Sequence, residues 1–561
     1  MRQFLPLHCL PLPQPQQTRA SFASLPRWHP GSRHCRVPLT AAAPKSGHPN
    51  TLWLSVHNTL FPYHSDVDQR RQLLESARQH LKLQQLPEAA KAYAALLDLD
   101  PGCVEAFGQL GFLLFHFELY AESLGCLQKA VQLASTAPKL NLLMAAVLRK
   151  LGRLDESADC CLRETQISPS DADAHYNLGL ARQSLQCPRA ALESYQRAVE
   201  LRPDYVDAMM GVGMVLRQTG DDPAALEWFE RVLVLAPANA EAHWEIATIL
   251  LAQGQFERGW REYEWRWKLK SHTPPATHFD QPLWDGQDLG GRRILLHCEQ
   301  GFGDVIQFSR YAALVAERHG QVILGCPEPL RPIMETVPGV TAVVTSRLDH
   351  PPFDVHVPLM SLPAIFGTTI ATVPRPIPYL RAPAAKPDSP PWINALPGLK
   401  VGLVWAAESA SANTHIRSMS LACFQPLLNL PGIQWYSLQV GRAADQLAEP
   451  PFAGRIADLG RRFADFGDTA RAIEQLDLVL SVDTCVVHLA GALGKPVWTL
   501  LPFDVDWRWM VARSDTPWYP TVRLFRQTKR GDWAGVVSQI EVALRDPAIS
   551  QECHLAVETA P

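Results

Sequence analysis

The sequence contains no run of about 18 uncharged apolar residues, the length that a helix needs to cross a bilayer. Its twelve cysteines are scattered and include no C-x-x-C pair, so they indicate neither a zinc site nor a disulfide framework. The formal net charge is only −4 and long basic runs are missing, which argues against nucleic acid as a main partner. These absences favour a reducing, cytoplasmic location, while contact with a membrane surface stays open.

Acidic residues are also missing from the first 65 positions, where arginine, proline and histidine are frequent. Because no helical or strand period persists there, we expect residues 1–66 to be a disordered leader. Two alternatives fit the same composition, an organelle transit peptide and a start site assigned too far upstream. At the other end, we expect residues 547–561 to be a tail outside the folded domains.

The length of 561 residues is enough for more than one domain, and a repeat fills the part from Arg70 to Lys270. Pro169, Pro203 and Pro237 recur every 34 residues. Small and aromatic residues stand at helical spacing within each period, which predicts paired helices that interlock. The period resembles that of the tetratricopeptide repeat, whose units stack into a superhelix with a concave surface for a partner.

We count six such units, and the last one ends in an aromatic segment, Gly259 to Lys270. We interpret this segment as a helix that closes the stack and packs on the next domain. The units are expected to start near Arg70, Val104, Pro138, Ala172, Val206 and Ala240.

Alternating strands and helices are predicted after the proline-rich linker that follows the repeats. They divide into two Rossmann-like lobes, residues 285–395 and 396–546. The clearest unit is Leu476 to Leu501, in which two apolar strands flank a helix. Ligands bind at the carboxyl ends of such strands, and a helix N-terminus there favours a diphosphate.

Several motifs of this region occur in a fixed order, namely HCEQGFGDVIQFSRYAALV, VGLVWA, SLQVG, DLVLSVDTCVVHLAGALGKPVWTLLP, DWRWM and SDTPWYPTVRLFRQ. Together with the repeats, they resemble bacterial tetratricopeptide-repeat proteins with a glycosyltransferase family nine (ADP-heptose:lipopolysaccharide heptosyltransferase-like) domain. More distantly, they are similar to O-linked N-acetylglucosamine transferases. The resemblance implies an α superhelix followed by an α/β GT-B fold of two Rossmann-like domains. It also implies an inverting sugar transfer from a nucleotide-sugar substrate, with neither a metal nor another cofactor.

The resemblance covers a glycine-rich turn before a helix, in which we expect Asp304 to be catalytic and Gly301 and Gly303 to bind the donor. Asp304 matches the proposed general base, because an acceptor hydroxyl must lose its proton as it attacks. The alternative is an aspartate that only caps the helix. The two glycines would let a sugar or phosphate approach the backbone.

The resemblance likewise implies a donor segment at Asp483, Thr484 and His488, where the helix start would receive the diphosphate. Arg417 matches a basic residue that neutralises the leaving group. A capped, buried helix with a satisfied histidine is the alternative for the first three residues. A surface arginine is the alternative for Arg417.

Two departures from the family pattern lie in the second lobe. Related sequences read WAGNP where this chain has WAAES at Trp405–Ser409, and Val440 replaces a lysine. We therefore keep three hypotheses. The first is a glycosyltransferase whose repeats present a glycan, lipopolysaccharide or protein acceptor. The second is a protein O-glycosyltransferase acting on a peptide held by the repeats, and the third is a repeat-based adaptor with an inactive transferase domain.

Overall fold

The computed structural model describes residues 62–269, 279–345, 350–385, 391–393, 397–408, 412–511 and 513–546. The expected leader up to residue 61 and the expected tail lie outside these residues. The first helix already begins at Pro62, so residues 62–66 belong to a helix and not to the predicted leader. The chain forms two compact units that divide between Pro237 and Ala238.

Helices make up every regular element that the structure describes in the first unit. Consecutive helices pack against each other along the chain, as expected for a superhelix of repeats. Four predicted unit starts coincide with the first residue of a helix, those at 104, 172, 206 and 240. The helices of this unit are α1 Pro62–Lys82, α2 Leu86–Leu99, α3 Val104–His116, α4 Tyr120–Leu133, α5 Leu140–Lys150, α6 Leu154–Ile167, α7 Ala172–Ser184, α8 Pro188–Leu201, α9 Val206–Gln218 and α10 Asp222–Leu235.

The repeat pattern places small residues where two helices of a pair cross. Tyr195 of α8 is fully buried, and a Cβ atom added to Gly179 of α7 would lie 2.6 Å from its ring. Equivalent serines add a repeated hydrogen bond, because Ser123 Oγ donates to the Gly111 carbonyl and Ser157 Oγ to that of Ala145. The period in the sequence therefore records the close approach of paired helices.

The second unit begins with one more helix pair and continues as alternating strands and helices. Its elements are α11 Ala240–Ala252, α12 Phe256–Tyr263, β1 Arg293–His297, α13 Phe302–Phe308, α14 Ala312–Ala316, β2 Gln321–Gly325, α15 Arg331–Met334, β3 Val340–Val344, β4 Val355–Pro358, α16 Leu362–Ile365, β5 Leu399–Val404, β6 Ile433–Ser437, β7 Ile456–Asp458, α17 Phe466–Glu474, β8 Leu478–Val482, α18 Cys485–Ala492, β9 Val497–Leu501, β10 Val522–Arg526 and α19 Trp533–Leu544. None of the described helices is long and apolar enough to span a membrane.

Two separate parallel sheets organise this unit. The first has the strand order β3-β2-β1-β4, and the second has the order β10-β9-β8-β5-β6-β7. Every strand pair in both sheets is parallel. The second order is that of a doubly wound sheet, in which the strand order reverses between the neighbouring strands β5 and β8. Strands β8 and β9 are buried at every residue, which explains their continuous apolar sequence.

The last helix pair, α11 and α12, lies within the predicted repeat segment and packs on the sheet-containing part. Trp260 of α12 is 1% exposed and contacts the rings of Trp507 and Trp518, with centroids 5.3 and 6.3 Å away. Burying such rings excludes a large apolar area from water, so the last helix pair belongs to the core of the second unit.

A buried ion cluster reinforces this packing. The Arg266 side chain is fully buried in the 3₁₀ helix after α12, where it donates to Glu299 Oε1 and to Ser361 Oγ, both at 2.8 Å. Glu264 accepts a third hydrogen bond at 2.7 Å. Because a buried charge without partners is costly, this cluster ties the end of the helical segment to strand β1 and helix α16.

Two glycine substitutions test the helix crossing in the first unit. Gly179→Ala should lower the free energy of unfolding by about 1–3 kcal/mol, because the new methyl group overpacks against Tyr195. Gly125→Ala in α4 is the control, since its Cβ meets no atom within 4 Å. This control should be stabilised by up to about 1 kcal/mol through helix propensity alone. Urea unfolding followed by circular dichroism measures both, and equal shifts would contradict the packing argument.

Candidate active site

The carboxyl ends of β5 and β8 define the crevice of the six-stranded sheet, because the strand order reverses between them. Asp483 and Thr484 follow β8 directly, and α18 begins at Cys485. The four-stranded sheet has an equivalent reversal between β1 and β4, and α13 follows β1. Helices α13 and α18 pack against each other, so the segments after β1 and β8 are neighbours.

Thr484 is the N-cap of α18. Its Oγ1 accepts a hydrogen bond of 3.3 Å from the amide of Val486 and lies 3.1 Å from Ser481 Oγ. The helix therefore starts at the edge of the sheet with its amide groups directed toward the crevice. Such a start attracts negative charge through the helix dipole.

Arg417 lies beside Asp483 and is not an isolated surface residue. Its Nη1 is 3.3 Å from the Asp483 carbonyl oxygen and 3.4 Å from Asp483 Oδ2. Burial raises the pKa of Asp483, the negative charge of Asp506 raises it further, and Arg417 opposes the shift. With 29% of its side chain exposed, Arg417 can still reach a ligand in the crevice.

Asp304 lies in the first turn of α13 and helps to cap this helix through its carboxylate, although it is not the N-cap residue itself. Gly301 occupies that position, and Asp304 Oδ2 accepts its amide hydrogen at 3.0 Å. Asp304 Oδ1 accepts a hydrogen bond from Arg508 at 2.5 Å. Burial raises the pKa of the Asp304 carboxyl, whereas the charge of Arg508 opposes the rise.

Arg508 is the residue at this site that the sequence analysis missed. It follows β9 and donates to Asp304, to Asp506 Oδ1 at 2.9 Å and to Gln307 Oε1 at 3.1 Å. Its guanidinium therefore connects the segment after β9 with helix α13, which follows the other sheet. The motif DWRWM contained this signal, since an arginine between two buried tryptophans has to pair its charge within the protein.

Gly303 has a packing role that differs from the predicted approach of a ligand. A Cβ atom at this position would lie 2.8 Å from His488 Cδ2, so only glycine allows α13 to contact α18 this closely. Gly301 has no such restriction, because the nearest atom to its added Cβ is Asp304 Oδ2 at 3.6 Å. The structure thus brings Gly303, Asp304 and His488 together around one helix contact.

His488 is held as a neutral imidazole. It is 5% exposed, it stacks on Trp509 with a centroid distance of 5.3 Å, and its Nδ1 lies 3.0 Å from the Tyr519 hydroxyl. Burial lowers the pKa of His488 to about 3, and the positive charge of Arg508 contributes to this shift. At neutral pH, this side chain can therefore bind a ligand only as an uncharged group.

The two departures from the family pattern have structural consequences. Val440 is 49% exposed, and the loop that carries it is fixed instead by Gln439. The Gln439 amide accepts from the backbone N–H groups of Trp405 and Ala406 and donates to the carbonyl of Ala406. Glu408 accepts from the amide of Arg442 at 2.7 Å. Gln439 and Glu408 therefore connect the loop around Val440 with residues 405–408.

The described residues include no group of three or more His, Cys, Asp or Glu side chains that could hold a metal ion. Positive charge at this site comes from Arg417 and Arg508, which lie near Asp483 and Asp304.

Comparison with known families identifies the repeats. The tetratricopeptide-repeat family matches residues 74–138 and 176–240, so the predicted repeats are confirmed there. The chain is 28% identical over 335 residues to protein FlbA of Caulobacter vibrioides, a match that covers 54% of this chain. It covers 55% of FlbA, so the chain spans about half the length of this curated relative.

Among solved structures, the chain is similar to MamA (residues 41 to the end) from Desulfovibrio magneticus, with 22% identity, a TM-score of 0.30 and coverage of 31% of this chain and 97% of that one. It is also similar to YrrB, described as a tetratricopeptide-repeat protein with an unusual peptide-binding site. There the identity is 23% and the TM-score 0.28, covering 32% of this chain and 91% of that one.

The depressed pKa of His488 predicts a specific loss of stability in acid. The unfolded chain takes up a proton near pH 6.5, whereas the folded protein does so only near pH 3. The contribution of neutral His488 to the free energy of unfolding is therefore fully present above pH 6.5. It falls as the pH drops, by about 2 kcal/mol at pH 5. In His488→Gln this contribution is absent, so the loss between pH 7 and pH 5 should be smaller by that amount.

Urea unfolding monitored by tryptophan fluorescence suits this comparison, because most tryptophans lie in the second unit. Other buried carboxyl groups titrate equally in both proteins, so the difference isolates His488. The same acid dependence in wild type and variant would show that the imidazole is readily protonated in the folded state.

Proposed function

We propose that the second unit is a GT-B type glycosyltransferase that moves a sugar from a nucleotide-sugar to a glycan, lipopolysaccharide or protein acceptor. The transfer would invert the anomeric centre and use no bound metal. The single observation that carries this proposal is the contact of α13 with α18. In this contact Asp304, which follows strand β1 of the four-stranded sheet, lies near the start of α18. That helix follows strand β8 of the six-stranded sheet.

The donor side of this proposal is the crevice of the six-stranded sheet. The start of α18, capped by Thr484, suits a diphosphate because its amide groups and dipole favour negative charge. Arg417 lies next to that start and would neutralise the leaving diphosphate. A phosphate that competes for Arg417 would leave Asp483 without its partner, and the raised pKa of Asp483 allows that carboxyl to become neutral.

The acceptor side depends on Asp304. As the acceptor oxygen forms its bond to the anomeric carbon, its proton passes to the Asp304 carboxylate, and the bond to the diphosphate breaks with its electron pair. A base must hold the proton, and burial supports this role because it raises the pKa of Asp304. Arg508 keeps the carboxylate oriented through Oδ1.

The tetratricopeptide repeats suggest a role in protein interaction. In this proposal they bind the acceptor or a partner protein. If the acceptor is a peptide on the repeats, the enzyme is a protein O-glycosyltransferase.

A second candidate is a repeat-based adaptor whose transferase domain is inactive. Two observations favour it. Both carboxylate oxygens of Asp304 already accept hydrogen bonds, from Arg508 and from Gly301. In addition, Val440 stands where related sequences have a lysine, and its side chain is exposed.

Donor binding separates the two candidates. A panel of nucleotide-sugars should include one that raises the melting temperature, because a ligand of the folded state stabilises it. Arg417→Ala should weaken binding of that donor by about tenfold or more and should also slow transfer. Arg545→Ala is the control, since this arginine is 65% exposed and pairs only with Glu541 in α19. If no nucleotide-sugar binds, the adaptor hypothesis holds.

Asp304→Asn tests the general base. The variant should bind the donor nearly as well as wild type, yet transfer should slow by about a hundredfold or more. Calorimetry and a sugar-transfer assay measure the two effects, and the melting temperature shows whether loss of the Asp304 charge beside Arg508 destabilises the fold. If the Asp304→Asn variant transfers sugar as fast as wild type, Asp304 is not the general base and only caps helix α13.

A further inference from the structure

A buried series of polar groups leads from Arg310 to His488. Arg310 is 4% exposed; its Nη1 donates to the Trp518 carbonyl at 2.7 Å and its Nη2 to the Tyr379 hydroxyl at 3.2 Å. The guanidinium also lies over the rings of Tyr379 and Tyr519, 4.6 Å from each centroid. Because a guanidinium can only donate, it sets the direction of the hydrogen bonds that follow.

The Tyr379 hydroxyl has its single proton committed. It accepts from Arg310 and donates to the Ile306 carbonyl at 2.9 Å. The Tyr519 hydroxyl lies 3.5 Å from Tyr379 Oη and 3.0 Å from His488 Nδ1. The longer distance exceeds that of an ordinary O–H···O hydrogen bond, which favours donation of the Tyr519 proton to His488 Nδ1.

This direction decides the tautomer of His488. In a neutral imidazole one nitrogen accepts and the other carries the hydrogen, so an accepting Nδ1 leaves the hydrogen on Nε2. Nε2 lies at the contact of α13 with α18, 3.4 Å from the position of a Cβ on Gly303. No described residue accepts a hydrogen bond from this nitrogen.

The ring that fixes the tautomer is itself immobilised. Tyr519 is fully buried, and a Cβ on Gly491 of α18 would lie 2.6 Å from its Cδ1. Trp509 stacks on the imidazole at an interplanar angle of 22°. Neither ring can turn without displacing its neighbours, so the hydroxyl and Nδ1 stay aligned.

We propose that Tyr519 is a positioning residue that holds His488 as the Nε2–H tautomer, so that the imidazole donates a hydrogen bond to a diphosphate oxygen of the donor. This inference rests on the proposed function for its ligand, but the tautomer does not. The imidazole acts here as an uncharged hydrogen-bond donor, because Arg508 and Arg417 already supply positive charge nearby.

The tautomer is measured first, in wild-type full-length protein labelled with ¹⁵N-histidine. The imidazole signals of His488, assigned by their loss in His488→Gln, should show a protonated Nε2 and an unprotonated, hydrogen-bonded Nδ1. A protonated Nδ1 overturns the proposal. This result does not depend on catalysis, so it stands apart from any failure to find a nucleotide-sugar.

Tyr519→Phe then tests the positioning role. It removes only the hydroxyl, so the His488 signals should indicate a mixture of tautomers and the donor Kd should rise about tenfold. Tyr436→Phe is the matched control, because its hydroxyl pairs with Gln434 within β6. It should change neither quantity. The melting temperature of each variant verifies folding.

Two outcomes overturn the positioning role. In the first, Tyr519→Phe shifts the tautomer but leaves the Kd and KM of the donor unchanged, so His488 does not contact the ligand. In the second, the variant keeps the Nε2–H tautomer, so the hydroxyl does not control it. If wild type binds no nucleotide-sugar at all, the proposed function fails while the tautomer result remains valid.

Discussion

The contact between α13 and α18 is the constraint on which the candidate site depends. Each helix follows a different parallel sheet, and they approach closely because Gly303 leaves room for the His488 ring. A side chain at Gly303 would push the helices apart and separate Asp304 from the start of α18. Steric exclusion at one residue thus decides how closely the carboxylate approaches the helix start.

The pairing of charged side chains at the site depends on this contact. Arg508 donates across it to Asp304 and also to Asp506, so removal of Arg508 would leave two carboxylates without their cation in a largely buried place. His488 stays neutral among these arginines because burial opposes its protonation. The site therefore combines two arginines that are paired with carboxylates and one uncharged imidazole.

Much of the fold could be predicted because its signals are local. The 34-residue period, the unit start at Val206 and the buried strands Leu478–Val482 and Val497–Leu501 all agree with the structure. Helical and strand periodicity depend on residues close to each other in the sequence, so both can be recognised in a single sequence. The Thr484 cap could be found for the same reason.

Other features depended on residues distant in the chain. The sequence identified Asp304, Arg417 and His488 as candidates, but it could not show that Arg508, 204 positions further on, pairs with Asp304. The same holds for the hydrogen bond between Tyr519 and His488. Local sequence determined which helices and strands form and where helix α18 begins. Only the tertiary structure decided which charges pair and which hydroxyl group lies beside His488, because both depend on packing between segments that are far apart in the sequence.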